Sequence, residues 1–92
     1  MTTSPLRVWK FKIFPSGRIT LPLPVGASAL NVDIQENQPV IWFALDPVAP
    51  VVDRRFFAVP TGEPSPVVDP KRYVGTFTLT NGYVGHVFEV TP

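Results

Sequence analysis

Residues 73–90 read Tyr73-Val74-Gly75-Thr76-Phe77-Thr78-Leu79-Thr80-Asn81-Gly82-Tyr83-Val84-Gly85-His86-Val87-Phe88-Glu89-Val90. Two alternating runs flank Asn81-Gly82, the dipeptide favoured in a two-residue type I′ turn, whose central residues both need positive φ. The stretch predicts an antiparallel hairpin. Placing Thr80 opposite Tyr83 sets Leu79 against Val84, Phe77 against His86, Gly75 against Phe88 and Tyr73 against Val90. All eight then share one face, apolar apart from His86, while the other face carries Thr76, Thr78, Thr80, Tyr83 and Glu89. In that register the Phe88 ring lies over the bare backbone of Gly75.

Working outward, Val40 to Leu45 is the longest wholly apolar run, at six residues. Ile41, Phe43 and Leu45 oppose Val40, Trp42 and Ala44, which predicts a central strand covered on both faces by a second sheet or another subunit. Residues 7–14 alternate, with Trp9, Phe11 and Ile13 on one side and Val8, Lys10, Lys12 and Phe14 on the other. Pro15-Ser16-Gly17 is a turn before a short strand, Arg18 to Leu21, which Pro22 and Pro24 stop, demanding a free edge or a loop. Residues 28–35 place Leu30, Val32 and Ile34 inward, and Glu36-Asn37-Gln38 is a turn. Asp53 to Val59 is a strand between two proline-rich excursions, one carrying Pro47 and Pro50, the other Pro60, Pro64, Pro66 and Pro70.

Prolines number 12 among 92 residues, and with 6 glycines they interrupt every 15-residue window beyond the first 20. Long helices are excluded. An apolar content of 45% against 16% charged residues excludes disorder. The fold class is all-β: one small antiparallel sandwich or partly open barrel of about seven strands. It spans residues 1–92, with residues 1–5 as a flexible N-terminus.

The chain has no cysteine, which removes disulfides, thiolate metal sites and thiol nucleophiles. Oligomerisation is the stabilising device still open to so small a domain, so a homo-oligomer is expected. The net charge of +1 points to neither DNA, RNA nor membrane. Its distribution is uneven: residues 1–32 hold Arg7, Lys10, Lys12 and Arg18 with no acid, and residues 33–92 hold four bases and seven acids. No run approaches the ~20 apolar residues of a membrane helix, and Met1-Thr2-Thr3-Ser4-Pro5 lacks the apolar stretch of a signal peptide.

Phosphate-loop, GxSxG and HExxH motifs are absent, and His86 is the single histidine. Neither a metal nor another cofactor is expected. His86 reads either as a base or ligand contact in a cavity, or as a core histidine packed on Phe77. Asp46-Pro47 and Asp69-Pro70 read as turn chemistry more readily than as paired catalytic carboxylates. With no activated nucleophile in view, the chain is not expected to be an enzyme. Two clusters join cations to rings: Arg54-Arg55-Phe56-Phe57 and Lys71-Arg72-Tyr73. Guanidinium groups hold phosphate by paired hydrogen bonds and rings stack on bases, a pairing suited to a nucleotide-like ligand. The plainer reading is a strand with arginines in solvent and rings in the core. Trp9 and Trp42 likewise suit a core better than a ligand platform.

An ordered series of short motifs runs along the chain. It comprises Val8-Trp9-Lys10-Phe11, Leu21-Pro22, Gly26-Ala27, Leu30-Asn31-Val32, Pro39 to Pro47, Thr61-Gly62, Tyr73 to Phe77 and Gly85-His86-Val87-Phe88-Glu89. By this series the chain resembles a family of small bacteriophage proteins of similar length. The resemblance implies a phage accessory protein acting in the cytoplasm of the infected host. The His-Val-Phe-Glu segment is typical of that family, which draws attention to His86. The family supplies no catalytic residue to carry over. By analogy with compact counter-defence proteins, the expected function is to bind and sequester a small anionic nucleotide-type signal. Arg54, Arg55 and Arg72 would hold phosphate, Phe56, Tyr73 or Trp42 would stack, and His86 would contact the ligand in a pocket at an oligomer interface. The alternative is a structural or host-protein-binding factor whose apolar strand and proline-rich loops form the contact surface.

Overall fold

The computed structural model describes residues 5–90; the N-terminal segment expected to be flexible falls on residues 1–4, outside them, and on Pro5, which is exposed. Seven strands follow one another: β1 (Arg7–Lys12), β2 (Gly17–Pro24), β3 (Ser28–Gln35), β4 (Gln38–Leu45), β5 (Val51–Pro60), β6 (Tyr73–Thr78) and β7 (Val84–Val90). They form two antiparallel sheets, ordered β1-β4-β3 and β2-β5-β7-β6, so the architecture is an open sandwich rather than a barrel.

The pleat explains the core. Ile41, Phe43 and Leu45 of β4 are buried against Ile19, Leu21 and Leu23 of β2, Phe56 and Ala58 of β5, and Phe77 and Val87 from β6 and β7. Phe43 meets Phe11 and Phe56 edge-on, with ring centroids 5.6 and 6.0 Å apart. Such pairs add about 0.5–1.5 kcal/mol to area burial. The expected cover on both faces of β4 is only half realised. Trp42, on the outer face, stays half-buried, with the Lys10 ammonium 5.8 Å from its ring centroid.

The prolines behave differently from the expectation that they end β2. The strand continues through Pro22 and Pro24 to pair with Asp53 and Val51. It can do so because β2 is an edge strand, where a missing N–H costs no ladder bond. At the other side of the sandwich β3 and β6 each carry an irregularity, at Leu30 and at Val74. The bulge turns Leu30 outward, 56% exposed, although alternation places it inside. Here the two sheets nearly touch: a Cβ on Gly75 would lie 2.6 Å from Val32 Cγ2.

The C-terminal hairpin forms, but one residue out of the expected register. Thr76 pairs with His86, Phe77 with Gly85 and Thr78 with Val84. The loop holds three residues rather than two. Gly82 N–H donates to Leu79 O at 2.9 Å, Leu79 N–H donates to Tyr83 O at 2.8 Å, and Gly82 has φ +89°. That is a type I turn followed by a left-handed glycine, the other common loop that Asn-Gly serves. The type I′ geometry occurs instead at Glu36-Asn37, both with positive φ, between the paired Gln35 and Gln38. The slip moves every β7 side chain to the opposite face. His86 leaves the apolar face and Val87 takes its place. The ring over bare backbone is Phe77 above Gly85, not Phe88 above Gly75.

Candidate functional site

Strand β5 carries the double arginine, and its pleat sends the two side chains to opposite faces. Arg54 shares the inner face with Phe56 and Ala58. A charge there has to be paired, and it is. Arg54 Nε donates to Glu89 Oε2 at 2.7 Å and a terminal nitrogen donates to Glu89 Oε1 at 2.9 Å. The remaining terminal nitrogen donates to the Ala27 carbonyl. This fork clamps β7 and the β2–β3 turn at the rim of the core. Phe56 is buried with the core, its ring centroid 5.8 Å from the Arg54 guanidinium.

Arg55 faces outward and is exposed. On that face Thr20 lies opposite it and Arg18 lies one pair along, opposite Phe57. The segment after β5 covers this region. Arg18, Thr20, Arg55, Phe57 and Val90 form the floor, and Ser65, Pro66 and Val67 form a wall, of a cleft of about 460 Å³. Val59 and Phe88 point away from the core yet are 4% and 7% exposed; the Tyr73 ring packs on Phe88 with centroids 5.8 Å apart. Two guanidinium groups on one sheet face repel each other. Among the described residues the only ion pair is Arg54–Glu89, so neither Arg18 nor Arg55 has a carboxylate partner there.

A chain of hydrogen bonds pins the covering segment. His86 Nε2 lies 2.6 Å from Thr61 Oγ1, and its Nδ1 lies 3.0 Å from Thr76 Oγ1. Thr76 Oγ1 in turn lies 2.6 Å from the Tyr73 hydroxyl. Thr61 opens the segment and Tyr73 follows its end, so His86 ties both ends of the loop to the sheet. Asp69 accepts from Lys71 N–H at 3.0 Å and starts the short 3₁₀ turn Pro70–Arg72. Asp46 accepts from Val48 N–H at 3.1 Å. Both carboxylates thus serve turns.

The residues singled out in the sequence therefore occupy separate places. Arg54, Arg72 and Tyr73 border one shallow hollow of about 210 Å³, where Glu89 neutralises Arg54. Arg55 lines the cleft, His86 anchors its cover, and Trp42 belongs to the outer face of the other sheet. Phe57, not Phe56, presents its ring to the cleft. Arg18 and Thr20 were not among the candidates; no local pattern announces them, because only the β2–β5 register brings them beside Arg55. Among the described residues no three His, Cys, Asp or Glu side chains gather into a metal site, and no helix is long and apolar enough to cross a membrane.

No curated protein and no solved structure matches this chain. A family model described as a domain of unknown function, DUF7352, matches residues 5–92, and the chain belongs to that family.

Proposed function

We propose that the chain is a non-enzymatic phage accessory protein that captures a small anionic ligand of nucleotide type and withholds it in the host cytoplasm. One observation carries the reading: Arg18 and Arg55 converge with Phe57 in a single cleft beneath a proline-rich cover. Arginine forks suit phosphate oxygens, and a ring edge or face suits a base. A volume of about 460 Å³ lies within the range of small-molecule sites. Pro64 and Pro66 limit the conformations open to the unbound cover and reduce the entropy lost when it closes on a ligand. Self-association, which we also propose, would enclose the ligand between two copies.

The test is a thermal-shift panel of 3′,5′-cyclic AMP, cyclic di-AMP and ADP-ribose with the wild-type protein and Arg18→Ala/Arg55→Ala. Stabilisation of the wild type alone, with ligand recovered unaltered after heat release, is expected. No shift with any of the three at high excess contradicts the reading, and a converted product contradicts its non-enzymatic part. The protein-binding alternative draws on a different surface, the open side of the sandwich between β1 and β2.

A further inference from the structure

The sandwich has one open side. Among the described residues β1 pairs with β4 alone, and its pairing fixes which main-chain groups face away from β4. Ile13 N–H donates to Pro39 O at 3.0 Å, in the same register that pairs Phe11 with Ile41 and Trp9 with Phe43. Alternation in an antiparallel ladder then turns the N–H and C=O of Val8, Lys10 and Lys12 away from β4. Among the described residues these groups have no neighbouring strand. The facing edge across the sandwich is β2, which presents Pro22 and Pro24 and cannot supply the missing donors.

Beside this free edge lies an apolar groove of about 750 Å³, lined by Val8, Trp9, Phe11, Pro22, Pro24 and Val51 among others. Trp9 is 42% and Val8 58% exposed, large values for such side chains. Among the described residues Lys10 is the only charged side chain on the groove. Arg7 and Lys12 extend the positive charge along the same strand, and residues 1–32 contain no acid.

We propose that the free edge of β1 takes an extended acidic segment of a partner protein as an added strand of the β1-β4-β3 sheet. The pleat dictates the sequence of that segment. Residues paired with Lys10 and Lys12 share the outer face and are acidic; their neighbours turn inward over Trp9, Phe11 and the two prolines and are apolar. A second copy of this chain supplies no complementary charge: an antiparallel β1 partner brings only Leu6, Val8, Lys10 and Lys12 to the outer face and so no carboxylate for Lys10 or Lys12, while the pleat puts Arg7 on the other face. The inference stands apart from the anion cleft, which lies on the other sheet. It gives the protein-binding alternative a defined partner chemistry.

The probe is a fluorescent eight-residue peptide alternating glutamate with valine, titrated into the full chain. Binding is expected, weakening about tenfold or more as salt rises from roughly 50 to 500 mM, with amide shifts at Val8, Lys10 and Lys12. The matching lysine–valine peptide should not bind. Lys10→Glu/Lys12→Glu should reverse that preference, its fold checked by circular dichroism. N-methylation of the glutamate-valine peptide at alternate residues should abolish binding by removing the ladder donors. No binding at millimolar peptide overturns the proposal. Equal binding by the N-methylated peptide does so too, as does a homodimer that Lys10→Glu/Lys12→Glu disrupts.

Discussion

The two faces of β5 hold the same chemistry to different ends. Arg54 and Arg55 are adjacent and identical in type. The inner one donates from all three of its nitrogens, to Glu89 and to the Ala27 carbonyl. The outer one stands in a cleft with Arg18 and no carboxylate partner among the described residues. The face, not the residue type, decides whether a guanidinium is paired within the fold or stands without a carboxylate partner. Substitutions on the inner face should move stability, and substitutions on the outer face should move binding.

The largest effect belongs to the inner face. Phe77→Ala removes a buried ring that rests on Gly85, and urea unfolding should show a loss of about 3–5 kcal/mol. A smaller loss would mean that the inner layer is less closely packed than its burial implies. Arg54→Ala comes next. Both partners keep partial solvent contact, 23% and 28% of their side-chain area, so the cost should be about 1–2 kcal/mol. Arg54→Met with Glu89→Leu should recover most of it, because no charge is then left unpaired. Neither variant should change nucleotide affinity by more than about twofold; a larger change would dissolve the distinction between the faces.

These expectations also show what was legible in the sequence. The class followed from the placement of proline and glycine and the seven strands from alternation and turn signals; alternation set Ile41, Phe43 and Leu45 against Val40, Trp42 and Ala44 without choosing the inner face. The hairpin register did not, because Asn81-Gly82 serves two- and three-residue loops equally well. The choice rests on Phe77 fitting over Gly85 and Val87 entering the core, contacts that lie outside the turn. That single step carried His86 to the outer face. The cleft was half legible: Arg55 was marked by composition. Arg18 was not, because its place beside Arg55 depends on pairing strands nearly forty residues apart (Arg18 against Phe57). Bulges at Leu30 and Val74 had no local signal either; they adjust the closely spaced β3–β6 side.

Smaller effects test the outer face. His86→Ala should cost about 1 kcal/mol through lost hydrogen bonds to Thr61 and Thr76. Its clearer signature is faster amide exchange across residues 61–69 with core strands unchanged. Exchange that rises equally everywhere would make His86 an ordinary stability residue. Arg55→Ala should be the mildest for the fold, within about 0.5 kcal/mol of wild type. A larger loss would give Arg55 a structural partner and bring the two faces back together.

Calorimetric titration of 3′,5′-cyclic AMP, cyclic di-AMP and ADP-ribose into the wild type, Arg54→Ala and Arg18→Ala/Arg55→Ala tests the central claim most directly. At least one of the three should bind the wild type and Arg54→Ala alike, and bind Arg18→Ala/Arg55→Ala at least about tenfold more weakly, the effect of losing one charge-assisted contact. Silence of all three with the wild type, or equal binding by the Arg18→Ala/Arg55→Ala protein, would contradict it.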